Sequence, residues 1–112
     1  MFLWYNQAIM KKHQENYQDC GMTKTLKIVG SKWTMPILYS LLSGKKRFSE
    51  LQKELGVSPR TLSMRLDQLE EDKIISRKVF PVIPPKVEYS LTAKGDSLNK
   101  IVELMAEWGK QH

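Results

Sequence analysis

The run Ser58–Asp72, SPRTLSMRLDQLEED, decides the fold, because it reads as a complete helix with one face committed and the other free. Ser58 can accept hydrogen bonds from the amides of the opening turn, and Pro59 supplies a preset φ where no amide partner is needed. Leu62, Leu66 and Leu69 fall at i, i+4 and i+7 and make one apolar stripe, with Arg65 on its border. The opposite side carries Arg60, Met64, Asp67 and Glu71, flanked by Thr61, Ser63 and Gln68. The first two exposed turns therefore display hydroxyls, one arginine and a flexible methionine, with the acids held back to later turns. Such a surface suits a DNA groove.

Immediately upstream, Phe48–Leu55 (FSELQKEL) has its own apolar spacing at Phe48, Leu51 and Leu55, and Gly56 follows as a helix stop. Helix, glycine turn, helix is the pattern of a helix-turn-helix, whose second helix enters the major groove by its N-terminal end. That geometry predicts base-edge contacts from Arg60, Thr61, Ser63 and Met64, with Ser58 at the same end of the helix and Arg65 either on phosphate or, being near the core stripe, paired internally with an acid. Helix spacing alone fits an ordinary αα-hairpin equally well, so the flanking segments decide.

After Asp72 the period changes from helical to alternating, in Ile75 to Phe80 and again in Val87 to Leu91, where Val87, Tyr89 and Leu91 share a face. This predicts a β-hairpin. Its connection, PVIPP, holds three prolines and is too stiff for a tight turn, which makes it a projecting wing. Arg77, Lys78 and Lys86 lie along it, for phosphates or a minor groove. Ahead of the helix pair, the link Ser43 to Arg47 concentrates Lys45, Lys46 and Arg47 where the first helix of such a motif meets the backbone. A solvated loop and a surface hairpin with ordinary cations are the alternatives for these two segments.

Further out, Phe2 to Gln18 is expected to be a helix, Thr23 to Val29 a short helix closed by Gly30, and Ser31 to Leu42 another, with Pro36 in its first turn or kinking it. Trp33, Ile37, Leu38, Leu41 and Leu42 would form the buried side of this last helix. Thr92 opens the final helix as N-cap, and Leu98, Ile101, Val102, Met105 and Trp108 continue as an apolar stripe. A small winged core has little surface left to cover it, so the N-terminal helix (1–19) and C-terminal helix (92–112) are expected to pack against a second copy; intramolecular docking is the alternative. The expected whole is one domain over 1–112, mainly α with a small β-hairpin, its winged core spanning 20–91.

The 112 residues carry a formal net charge of +6 and a pI near 9.5, which favours a polyanionic partner. No apolar run is long enough to span a bilayer, and MFLWYNQAIMKK lacks the pattern of a cleaved leader, so a cytoplasmic protein without membrane attachment is expected. Cys20 is the one cysteine and excludes an internal disulfide. His13 and His112 lie near the ends, and neither metal-ligand spacing nor a glycine-rich phosphate loop is present, so no enzyme and no cofactor are expected.

The runs CGMTKTLKIVGSKW at 20–33, RFSEL at 47–51, the helix from Ser58 to Glu71, and VIPPKVEYSLTAKG at 82–95 together resemble the HxlR family of bacterial winged-helix transcription regulators. The likeness covers residues 20–110 in order. It implies a homodimer built by terminal helices, binding double-stranded DNA at an inverted repeat. It also matches Cys20 to a family cysteine that in some members senses quinones, aldehydes or oxidants, which makes a small electrophile or oxidant a candidate inducer. A helix start and nearby Lys24 would lower the Cys20 thiol pKa; a buried small hydrophobe is the alternative. Met64 stands where the family often has a longer polar residue, and offers a base only apolar contact, for instance with a thymine methyl. A winged-helix protein-interaction module that binds no DNA is the competing function.

Overall fold

Pro59–Glu71 is helical, and both of its ends are closed by identifiable bonds. At the start, the Thr61 amide donates to Ser58 Oγ at 3.2 Å. At the finish, Lys73 takes a left-handed φ of 62°. That conformation lets the Lys73 amide reach the Glu70 carbonyl at 3.0 Å and the Ile74 amide reach Leu69 at 2.9 Å, a Schellman closure.

The computed structural model describes residues 20–112. The order is α1 (Gly21–Val29), α2 (Thr34–Leu41), β1 (Lys46–Arg47), α3 (Phe48–Leu55), α4 (Pro59–Glu71), β2 (Ile75–Phe80), β3 (Lys86–Leu91), α5 (Ala93–Asp96) and α6 (Asn99–Gln111). The expected helix Phe2 to Gln18 lies outside the described residues. The chain divides into two units, Met1–Ser31 and Lys32–His112. In the first, α1 runs from its N-cap Cys20 to Gly30.

In the second unit the core is Ile37, Leu38 and Leu41 from α2, Leu51 from α3, Val57, the α4 stripe Leu62, Leu66 and Leu69, Ile74, Ile75 and Tyr89 of the hairpin, and Val102 of α6. The three antiparallel strands lie in the order β1-β3-β2, with β2 and β3 in register from Ile75↔Leu91 to Phe80↔Lys86. The fold is thus mostly helical with a small sheet, as expected, and three details differ.

First, Lys46 and Arg47 are not loop; they pair with Tyr89 and Glu88 and add a third strand. Two residues show no alternation, so local pattern had nothing to register. Second, α2 begins at Thr34, because Trp33 adopts φ 78° and breaks the helix expected from Ser31. Pro36 then sits in the first turn, where its missing amide is not needed. Trp33 and Leu42 are half-buried rather than core. Third, the expected continuous final helix is interrupted at Ser97–Leu98 between α5 and α6.

Thr92 caps α5 as expected, its Oγ accepting from the Gly95 amide at 3.0 Å. The same hydroxyl donates toward the Lys73 carbonyl at 2.6 Å, and the Thr92 amide donates to the Ile74 carbonyl at 3.0 Å. This docks α5 so closely on the end of α4 that a Cβ at Gly95 would collide with the Ile74 carbonyl oxygen. Glycine is required there. Replacing Gly95 with Ala should lower stability by about 1–3 kcal/mol through overpacking. Gly109→Ala in α6, where a Cβ meets nothing within 4 Å, should be neutral or stabilising; urea unfolding midpoints of the two variants check this.

Candidate nucleic-acid interface

The leucine stripe of α4 faces the core, so the opposite face of its first turns must face outward. Arg60, Ser63 and Met64 are exposed, Met64 by 54 %, and Thr61 is half-buried. Ser58 donates its hydroxyl proton to Thr61 Oγ1 at 3.0 Å while capping the helix, so these two hydroxyls hold each other in place. Arg65 lies at the edge of the stripe with its Nε enclosed and bonded to no protein group. From Ser58 to Leu66 there is no acid.

The cations expected around this face are not equivalent. Lys45 and Arg47 are exposed, and the Arg47 amide donates to Glu50 Oε1 at 3.0 Å to start α3. Lys46 is instead engaged: its ammonium lies 2.6 Å from Glu54 Oε2 and 2.9 Å from Ser40 Oγ. These bonds, the one from Lys46 foremost and then that from Ser40, hold the Glu54 carboxyl below its usual range. On the wing, Arg77 and Lys78 are exposed. Lys78 and Lys86 both rest against the Phe80 ring, 4.9 and 5.1 Å from its centre, and Lys86 also lies 3.8 Å from Glu88. Residue types alone could not single out Lys46 among these cations, because its partners Ser40 and Glu54 come from other elements.

In the first unit, Cys20 Sγ lies 3.1 Å from Thr23 Oγ1 and accepts the Thr23 amide at 3.4 Å. The Thr23 hydroxyl foremost, and then its amide, lower the thiol pKa. The direction is the expected one but the cause is Thr23 rather than the charge of Lys24, whose backbone amide donates to the Cys20 carbonyl at 3.1 Å. Cys20 is half-buried.

The family model described as HxlR-like helix-turn-helix matches residues 28–112. The chain belongs to the HxlR family. An HxlR relative from Halalkalibacterium halodurans, an HTH-type transcriptional regulator, is 43% identical over 104 residues, covering 91% of this chain and 92% of that one. Among solved structures, the redox regulator HypR in its oxidized form shares 41% identity with a TM-score of 0.80, covering 83% of this chain and 97% of that chain. The reduced form of the regulator YodB from Bacillus subtilis shares 34% identity with a TM-score of 0.70, covering 82% and 92%. The protein is a transcriptional regulator of the helix-turn-helix type. Among the described residues no helix is long and apolar enough to cross a membrane, and no cluster of three His, Cys, Asp or Glu could hold a metal.

Because the folded thiol pKa is lowered, the thiolate share at neutral pH exceeds that of a free cysteine. Thr23→Val should therefore shift the pH–rate profile of Cys20 alkylation by iodoacetamide to higher pH and slow the reaction at pH 7, with Thr23→Ser restoring it. An unchanged profile would show that Thr23 does not tune the thiol.

Proposed function

We propose that this HxlR protein binds DNA sequence-specifically as a homodimer at an inverted-repeat operator, and that modification of Cys20 switches that binding. The observation that carries the reading is the outward face of α4, which offers Arg60, Thr61, Ser63 and Met64 with no acid before Asp67. Arg60 reaches a guanine edge, the hydroxyls contact bases or sugars, and Met64 packs on a thymine methyl. Lys45, Arg47, Arg65, Lys78 and Lys86 serve phosphates; Lys46, neutralised by Glu54, contributes mainly by fixing the strand that carries Arg47.

Support for the dimer comes from α6, where Ile101, Leu104, Met105 and Trp108 are all exposed on one helix. Beside them a cavity of about 300 Å³ is lined by Met35, Pro36 and Tyr39 of α2 with Val102, Met105 and Ala106. An apolar face of this extent marks a contact surface, and a second copy places two reading helices about 34 Å apart, one turn of duplex. For the switch, support comes from the lowered thiol pKa and from the likeness to a redox regulator. With one cysteine per chain, a disulfide would join Cys20 to Cys20 of a second subunit or to a small thiol.

Selection from a random duplex pool tests the reading: an inverted repeat should be enriched by reduced protein and lost after quinone or diamide treatment, but kept by treated Cys20→Ser protein. Arg60→Ala should cost about 1–3 kcal/mol and relax the preference at one position per half-site; unchanged affinity and consensus would displace the reading face from α4. Leu104→Glu should yield monomers in sedimentation and weaken operator binding at least tenfold, an estimate from the loss of one half-site's contacts. A dimer unaffected by it would move the interface elsewhere.

A further inference from the structure

We propose that the wing tip, Val82–Pro85, is an apolar wedge for the minor groove flanking each half-site, and that Ile83 selects deformable base steps there. The inference rests on the DNA-binding reading above and adds a specificity determinant to it.

The tip is built without the groups that read bases by hydrogen bonds. From Val79 to Pro85 the sequence is VFPVIPP, with neither charge nor polar side chain. Pro81, Pro84 and Pro85 have no N–H, and the Val82 amide is spent on the Phe80 carbonyl at 2.8 Å. Only the Ile83 amide remains as a donor across the tip. Its side chain is fully exposed, at 101 %, and Val82 is exposed by 52 %. A fully exposed isoleucine held among prolines is stiff, and its burial is deferred to a partner.

The surroundings point to duplex DNA as that partner. Arg77, Lys78 and Lys86 stand on the strands that lead to the tip, and two of these cations rest against Phe80 next to it. A cleft of about 490 Å³ between the tip and the start of α3 is lined by Arg47, Phe48 and Ser49 as well as Val82 to Val87. The tip therefore lies beside the helix pair that would straddle the duplex. Tyr89, paired with Arg77, is the last buried hairpin residue. The strand residues Lys78 to Phe80 then carry the chain roughly 10 Å beyond the core at about 3.3 Å per residue, and the tip projects from there.

A minor groove about 6 Å wide excludes a two-stranded ribbon but admits a single apolar side chain from its turn. Such wedges partly unstack a base step, and pyrimidine–purine steps yield most readily. Sequence preference at the flank then arises without base hydrogen bonds, while the cations hold the phosphates beside it.

The test keeps the selected half-sites constant and varies the flanks, TA or CA steps against A-tracts and G·C runs, with full-length protein in anisotropy titrations and 2-aminopurine at the flanking step. Wild type should favour the flexible steps by about tenfold, within the range of deformation energies, and the 2-aminopurine should brighten on binding. Ile83→Ser, at a site with no core contacts to lose, should abolish that preference and the brightening yet keep the half-site consensus. Lys78→Ala should weaken all flanks alike. Wild-type binding indifferent to the flank, or an Ile83→Ser variant that keeps the preference, overturns the wedge and leaves the DNA reading intact. Failure of the wild type to bind any duplex, with Ile83-dependent binding to phosphatidylserine vesicles instead, overturns both.

Discussion

Burial of Leu62, Leu66 and Leu69 is the constraint on which the rest depends. Each is essentially inaccessible to water, and burying a leucine is worth about 1.5–3 kcal/mol. A domain of this size is stable by only about 5–15 kcal/mol, so turning α4 about its axis would forfeit most of the margin. The rotation of α4 is locked from behind, and Arg60, Ser63 and Met64 are displayed as a consequence. Their exposure needs no stabilising contact of its own.

The second constraint is where α4 ends. Thr92 bonds to Lys73 and Ile74, and Gly95 closes on the Ile74 carbonyl. The end of α4, the base of the wing and the start of the C-terminal helices are joined at one point. The base of the wing is thereby anchored to the end of α4. On the other side of the helix pair, Lys46 ties β1 to Glu54 of α3 and to Ser40 of α2, which fixes the approach of Arg47.

The surface charge is thereby sorted. Of the basic residues clustered before α3, one is consumed in holding the scaffold and its neighbours stay in water. On the wing, Phe80 gathers two lysines by their attraction to its ring, leaving the tip itself uncharged. Cys20 belongs to a different unit, and its chemistry is local: a hydroxyl and an amide, both from Thr23, favour the thiolate.

The helix-turn-helix, the hairpin and the caps at Ser58, Gly56 and Thr92 were all legible in sequence, because each is governed by short-range rules: period 3.6 against period 2, hydroxyls that satisfy opening amides, glycine at a left-handed stop. The core stripe and the outward residues of α4 follow from the same spacing. What tertiary structure alone decided are the features in which a residue answers to one far along the chain. Strand β1 exists because β3 lies beside it, 40 residues on. Lys46 is neutral in effect because α3 brings Glu54 to it. Position 95 must be glycine because it touches Ile74, and α2 starts late because Trp33 turns left-handed. Local pattern records what a segment prefers; which of its groups remain free for a partner depends on what packing brings against them.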